Sequence, residues 1–527
     1  MRSSLSTTVL FFMFSLLHAQ WWGLQEQFSQ TSAGVSTSVS PIDGSVCATG
    51  SFGIPNMHGP SSDMGGFVSL YDVNHNLKWR KMYYSGKYGI QTLNKTDNNG
   101  NILVSGYCNG PMEFENDTLP KGGAYLIKYD VNGNLLFALP DTNSFVKHMA
   151  LDVNNNIYLA GNKVMGAVSI FGKPFTKDYF LAKFDQYGNN IWVKYFYGID
   201  NDFGFCVDAQ ENIYSTGTFN QYGNLNITDS VQLVNTGSSD GFVAKYNSNL
   251  ELQWVKTIQG GATEVCSRIG INGSGDVYVG GYIAGPSTYP NHYFDTITVS
   301  NPIGQNIFLA KYNNSGDCQW VRTAGSNGSD FVKGVYVDNN GDAFIAGYVG
   351  SMGSSAVFGS QTFNFPWGNI AMYVAQYDSN GNLKWVDLSQ GGPGIVYDIT
   401  GDGAGTLYVT GVFSGNWDFG TVSLTGYEEM FLLKIDVTTT SVAENELNEY
   451  NSGLIVYPNP TSGQFQVKSL MLQIERVEIY NVLGEIIYQS AALASQSAID
   501  LSAQPKGIYF VEVIVGNERR ASKIILE

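Results

Sequence analysis

The stretch Asn156-Ile157-Tyr158-Leu159-Ala160-Gly161, followed by Tyr179-Phe180-Leu181-Ala182-Lys183-Phe184-Asp185, decides the fold, because both phrases return along the chain. The first recurs as NIYSTG at 212–217, DVYVGG at 276–281, DAFIAG at 342–347 and TLYVTG at 406–411. Its closing glycines are Gly50, Gly106, Gly161, Gly217, Gly281, Gly347 and Gly411, at successive spacings of 56, 55, 56, 64, 66 and 64 residues. The second phrase recurs as GFVSLYD, AYLIKYD, GFVAKYN, IFLAKYN, MYVAQYD and MFLLKID. A third carries a tryptophan or its substitute (NLKW, NLLF, NNIW, ELQW, DCQW, NLKW), and a fourth, such as GVYVD at 334–338, precedes the glycine strand.

Each repeat therefore reads as four short β-strands. Runs such as Phe180-Leu181-Ala182 are apolar on successive residues, as strands buried on both faces require. The Asp-x-Asn-Gly-Asn runs at 97–101, 130–134 and 378–382 supply turn residues where positive φ is needed. The recurring glycine marks a close approach of two backbones. Four-stranded units repeated radially make a β-propeller, here expected to have seven blades. Closure can be counted: no tryptophan strand follows 430–436, but Trp21-Trp22 lies near the other end of the chain. Trp22 precedes Gly50 by 28 residues, as Trp79 precedes Gly106 by 27 and Trp385 precedes Gly411 by 26. The N-terminal segment is thus expected to supply the outer strand of the last blade, which removes two exposed sheet edges. Over roughly residues 20–437 the repeats resemble the seven-bladed propeller repeats of bacterial secreted proteins, a likeness that specifies architecture and leaves activity open.

Composition agrees. The 527 residues hold 28 Lys and Arg against 45 Asp and Glu, a net charge of -17. Only 14% are charged, against roughly 25% in an average globular chain. This excludes a disordered polyelectrolyte and a helical bundle, and the acidic balance excludes a nucleic-acid partner. Arg2, the apolar run at 9–17 and small Ala19 before Gln20 read as a signal peptide over 1–19. That run is too short to span a bilayer, which takes about 18 residues or more, so no transmembrane segment is expected. Cys47, Cys108, Cys206, Cys266 and Cys318 show no C-x-x-C spacing and read as buried free thiols.

The polar, aperiodic stretch 438–452 reads as a linker, and 453–527 as a further domain. Its alternating strands, Gln464-Phe465-Gln466-Val467 and Tyr509-Phe510-Val511-Glu512-Val513, predict a small antiparallel β-sandwich. It closely resembles the type A C-terminal sorting domain of the type IX secretion system. The matching residues are Pro458, Asn459, Pro460 and Gly463, then Tyr480, Asn481 and Gly484, then Asp500, Gly507, Tyr509 and Lys523. The resemblance implies export by the signal peptide, recognition of this domain by the outer-membrane translocon, and release or attachment at the outer surface of a Gram-negative cell.

Chemistry-bearing motifs do not assemble, so no catalytic, cofactor-binding or metal-binding residues are assigned and no cofactor is expected. Gly237-Ser238-Ser239-Asp240-Gly241 matches G-x-S-x-G, but it precedes a strand, whereas a nucleophile elbow follows a strand and opens a helix. His58, His75, His148 and His292 read as lone surface histidines. Most carboxylates fall at the repeated turn aspartate, so no acid/base pair is expected. Those turns lack the glycine at the sixth loop position of an EF-hand, which is Leu77, Leu135, Ala343 or Leu383, and hairpin chemistry explains them without calcium.

The short turns share one face of the ring, and the second and inter-blade connections share the other. From repeat glycine to the following Tyr-Asp position the intervals are 21, 23, 23, 29, 31, 30 and 24, so blades four to six carry the longest connections. Tyr222, Tyr289 and Trp367 lie there and are candidate ligand-face residues for an extracellular glycan or protein. The reading is an all-β protein: a seven-bladed propeller followed by a small sandwich, exported and acting as a non-catalytic binding or adhesion module. The alternatives are a propeller enzyme acting on extracellular glycans at the central mouth, and a structural surface component. An enzyme needs polar residues converging from several inner strands, and the repeats show no such departure.

Overall fold

The computed structural model describes residues 20–26, 32–437 and 454–526, except 54–63, 87–89, 115–116, 120–121, 176, 196–202, 221–223, 229, 286–287, 301–303, 351–354, 366–369, 458–460, 470–475, 482–484, 492–495 and 516–517. Two compact units divide at 438/439. Among the described residues the regular elements are all strands.

The larger unit is a β-propeller. Its sixth repeat shows the pattern: Phe331–Val337, Ala343–Gly350, Ile370–Tyr377 and Leu383–Leu388 pair antiparallel in that order, from the inner strand outward. The others repeat it, for instance Ile90–Thr96, Ile102–Cys108, Gly123–Tyr129 and Leu135–Asp141. The middle strands are buried on both faces, as in Gly123–Tyr129, because each blade is covered by its two neighbours. The repeat glycine follows from geometry. A Cβ at Gly347 would lie 1.9 Å from the Phe331 carbonyl oxygen, and one at Gly411 would lie 2.0 Å from that of Ile395. Opposite the glycine, the inner strand slips register between Val146 and His148, Cys266 and Arg268, Val332 and Gly334, and Val396 and Asp398. These β-bulges re-aim the extra residue.

The backbone closes as the spacing predicts. Gln20–Glu26 pairs antiparallel with Met430–Asp436, setting Trp22 opposite Lys434. The turns are built alike: Asp130 Oδ1 accepts the Asn132 and Asn134 amides at 2.8 Å each, and its Oδ2 accepts Asn134 Nδ2 at 2.8 Å. Asp72, Asp97, Asp152, Asp185, Asp208 and Asp378 repeat the arrangement. These carboxylate oxygens satisfy backbone and amide donors, which is a structural duty.

The long second connections differ from expectation. They contain hairpins: that of blade four, Leu225–Asn226 with Gln232–Leu233, stands alone, whereas those of blades five and six dock on the preceding blade. Asn291–Phe294 and Ile297–Ser300 form one, and its first strand pairs with the outer strand of blade four, Ile258 opposite Phe294 and Gly260 opposite His292. Ser355–Phe358 docks on blade five in the same way, with Ala324 opposite Phe358. Lengthening there extends the neighbouring sheet and covers its edge, which is why the insertions are ordered.

The smaller unit holds two antiparallel sheets, one ordered Leu454–Tyr457, Gln464–Ser469, Gln496–Asp500, the other Ile486–Ala491, Arg476–Asn481, Gly507–Val515, Glu518–Leu526. One apolar cluster joins them: Phe465, Val467, Ile499 and Leu501 with Val477, Ile479, Val511, Val513 and Ile524. The strand alternation that places these residues inward turns Ile486, Ile508 and Phe510 outward, where each is exposed.

Candidate functional site

Of the three ligand-face candidates, Tyr222 and Trp367 lie outside the described residues. Tyr289 stands on the connection before the blade-five hairpin and is 56% exposed. Its ring covers Gly261, where a Cβ would lie 2.6 Å from Tyr289 Cδ1. Tyr293, on the hairpin itself, is also exposed. Two exposed tyrosines therefore stand at the blade four–five junction.

The inner strands bring together groups that the repeats conceal. Lys147 and Lys333 are the extra residues of their bulges, and Arg268 follows the bulge of blade five. Arg268 Nε donates to the Lys333 carbonyl at 2.5 Å. Lys333 Nζ lies 5.0 Å from the Phe331 ring centre and 5.8 Å from that of Tyr348. Tyr282 meets Phe331 edge-on at 5.3 Å. Burial pushes His148 down to about 3, helped by the charges of Arg268 and Lys147, so its ring is neutral. The first strands of a propeller line its central channel. Cations of blades three, five and six thus lie on inner strands, Lys147 and Arg268 near His148 and Lys333 beside two aromatic rings. Bulge register carries no signature in the residues themselves, which is why it was missed.

One correction concerns charge. His292 is not on the surface: it is fully buried, and its Nδ1 lies 2.5 Å from Glu264 Oε1. Asp240 stands near enough for its charge to act on Glu264, and all three side chains are buried. Burial raises Glu264 to about 7, and it raises Asp240 as well. The sequence does not reveal this buried group, because its members lie on three separate strands and the docked hairpin brings His292 to Glu264. Asp240 Oδ2 also accepts the Thr236 amide at 2.7 Å, which explains Asp240 within the G-x-S-x-G run: it anchors a turn. Ser239 opens the strand Ser239–Tyr246, as a nucleophile elbow does not. Among the described residues no group of three His, Cys, Asp or Glu is placed to hold a metal. The thiols of Cys47, Cys108, Cys266 and Cys318 are buried and that of Cys206 partly so.

In the smaller unit Pro458, Asn459, Pro460 and Gly484 lie outside the described residues, and of Lys523 only the backbone is described, paired with Phe510. Gly463 has φ +133° and lies 2.7 Å, measured from its Cβ position, from Ser502 Cα. Its carbonyl accepts the Leu501 amide at 2.8 Å. Asp500 accepts Gln464 Nε2 at 3.0 Å and the Ser502 amide at 2.8 Å, and these bonds hold its carboxyl below the usual range. Asn481 caps the next turn by accepting the Glu485 amide at 3.0 Å. Tyr480 Oη donates to Glu478 at 2.5 Å, and burial with these two acids, Glu478 and Glu512, pushes its phenol up. Tyr509 is buried and donates to the Pro505 carbonyl at 2.5 Å. Gly507 takes φ +155° with open space around it. The motif residues that are described thus make turns and core.

Residues 455–527 match the family model described as a secretion system C-terminal sorting domain. An uncharacterized WD repeat-containing protein of Acanthamoeba polyphaga mimivirus is 26% identical over 199 residues, covering 33% of this chain and 14% of that protein. This chain thus spans a small part of that relative. Among solved structures, the Dos1 propeller aligns over 80% of this chain and 95% of its own, at 10% identity and TM-score 0.39. A PL25 polysaccharide lyase, an ulvanlyase, aligns over 77% and 96%, at 10% identity and TM-score 0.39. No described helix is long and apolar enough to cross a membrane. The chain is a β-propeller protein that carries a secretion system C-terminal sorting domain, the mark of a secreted or cell-surface protein of the type IX system.

Proposed function

We propose that the protein is a type IX cargo whose propeller is a non-catalytic binding or adhesion module at the outer surface of a Gram-negative cell. In this reading residues 1–19 are a signal peptide. Residues 20–437 form seven blades, 438–452 are a linker, and 453–527 form a sandwich that the translocon recognises. The observation that carries it is the sorting domain at 455–527, which assigns the rest of the chain to the extracellular side. The binding role is supported by docked hairpins that hold Tyr289 and Tyr293 exposed on a rigid scaffold. The ligand is an extracellular glycan or protein.

The test is export of a reporter. Residues 453–527 fused behind a periplasmically exported fluorescent protein should send it to the surface or medium of a type IX-competent host. Retention in the periplasm sinks the sorting claim. A glycan and surface-protein binding screen on the secreted protein tests the rest, and turnover of a glycan in that screen would favour the enzyme. The presence of Lys147, Arg268 and Lys333 on the inner strands of blades three, five and six is the one observation that favours that second reading.

A further inference from the structure

The seams between blades four and five and between blades five and six are built in the same register, and they differ in how one cation is matched. Ile258 faces Phe294 in the first seam, and Ala324 faces Phe358 in the second. Counting from those pairs, Lys256 corresponds to Arg322 and Asp295 corresponds to Gly359. Asp295 and Gly359 share the left-handed conformation, at φ 54° and 58°. In the first seam Lys256 Nζ lies 3.3 Å from Asp295 Oδ1. In the second, the position of that carboxylate is taken by a residue with no side chain.

Arg322 keeps the cation. Its Nε donates to the Gly381 carbonyl at 2.7 Å, Nη1 to that of Val321 at 2.9 Å, and Nη2 to that of Asn380 at 3.1 Å. Among the described residues no carboxylate pairs with it, although the protein carries a net charge of -17. A guanidinium has five N–H donors, so two remain after these three bonds. Beside it opens a cavity of about 520 Å³, lined also by Lys311, Gln319, Ser379, Asn380 and apolar Val321 and Ile297. Lys311 is already neutralised by Asp276 at 3.0 Å. That leaves a guanidinium 5.4 Å from the Trp320 ring centre but with no carboxylate partner, two exposed amides, a hydroxyl and the apolar Val321 and Ile297, in a space within the range of small-molecule sites.

We infer that this lateral cavity binds one carboxylate-bearing sugar residue, a uronic acid, whose carboxylate pairs with Arg322 where the neighbouring seam uses Asp295. The ring hydroxyls meet Gln319, Ser379 and Asn380, and the C–H face of the sugar meets Val321 and Ile297. A planar guanidinium suits a carboxylate better than an ammonium does. The site lies at the side of the ring and is independent of the hairpin face.

The test is isothermal titration of the full secreted protein with sodium galacturonate, galactose and sodium acetate. Galacturonate should bind saturably, with galactose and acetate each at least about tenfold weaker, the scale of losing one charge-assisted contact set. Gly359→Asp restores the internal carboxylate at a φ that Asp295 already tolerates; it should weaken galacturonate at least about tenfold while keeping the melting temperature. Arg322→Gln should abolish binding, and Gly359→Asp guards against a folding defect in that variant. Equal binding of galactose and galacturonate, equal binding of acetate and galacturonate, or full galacturonate binding by Gly359→Asp would each overturn the assignment.

Discussion

The indole of Trp320 in the fifth blade fills the space above Gly381 in a turn of the sixth. A Cβ on Gly381 would lie 2.7 Å from Trp320 Cδ2, and Trp320 Nε1 donates to the Ser379 carbonyl of the same turn at 3.0 Å. Trp79 stands likewise over Gly133, Trp254 over Gly316, and Phe137, the substitute in NLLF, over Gly188. Two phrases that repeat separately in the sequence are therefore two halves of one contact across these four seams. The turn glycine answers both to positive φ, +80° at Gly381, and to the ring above it.

Gly381→Ala should accordingly cost more than its conformation alone. Strain at positive φ costs about 1–3 kcal/mol, and displacement of a nearly buried tryptophan adds to it. Trp320→Ala should cost about 3–5 kcal/mol. A double-mutant cycle in chemical denaturation should find the two strongly non-additive. Additive losses would show that ring and glycine act separately.

Closure of the ring can be weighed in the same way. Without residues 20–26 the strand Val422–Asp436 loses its outer partner and presents an open edge. A chain secreted without them should melt lower and aggregate sooner. An unchanged melting curve would show that this pairing contributes nothing to stability.

The repeat phrases made the propeller, the closing strand and the turn face legible, because each depends on residue types at fixed spacing. The hairpin docking was not legible. Asn291–Phe294 reads as an insertion, and only the folded register shows that it completes the edge of blade four. The candidate site suffered for the same reason: Glu264, Asp240 and His292 come from three strands, and Lys147 and Lys333 depend on bulges. The sorting motif was legible residue by residue, since it is dense and linear.

Stability should peak in mildly acidic solution. Glu264 is raised to about 7 and Asp330 and Asp387 to about 6, each chiefly by burial. These groups hold protons in the folded state that the unfolded chain releases near pH 4, so stability falls as pH rises from about 4.5 through 7. The turn aspartates act the other way: desolvation raises Asp97, Asp130 and Asp378, but their hydrogen bonds together outweigh it and lower them, so stability also falls as pH drops below about 4. Glu264→Gln should flatten the upper limb in melting curves taken between pH 5 and 8. An unaltered slope in that variant would exonerate Glu264.

The sorting unit separates folding from recognition. Val511 is buried in its core, whereas Phe510 beside it is exposed on the outer face with Ile508 and Ile486. Val511→Ala should destabilise the unit by about 1–3 kcal/mol and reduce export of the reporter through folding. Phe510→Ser should leave the melting curve of the fusion in place. If it nonetheless leaves the reporter in the periplasm, the outer face is what the translocon reads. Normal export of the Phe510→Ser fusion would remove that face from consideration.

The hairpin face and the channel mouth make different predictions for whatever glycan or protein the screen identifies. Tyr289 is exposed and rests on Gly261, so Tyr289→Ala removes contact surface without opening the core. Stacking of a planar ring on a ligand ring is worth about 1–3 kcal/mol in comparable sites, so affinity should drop several-fold or more. Lys333 lies beside the packed rings of Phe331 and Tyr348 on an inner strand, so Lys333→Met keeps its packing and removes only its charge. A ligand held by the hairpin face should respond to Tyr289→Ala and ignore Lys333→Met. Asn132→Ala, in a turn on the opposite face, should affect neither melting nor affinity much. Loss of affinity in Lys333→Met alone would move the binding site from the hairpins to the channel, and loss in Asn132→Ala alone would reverse the assignment of faces.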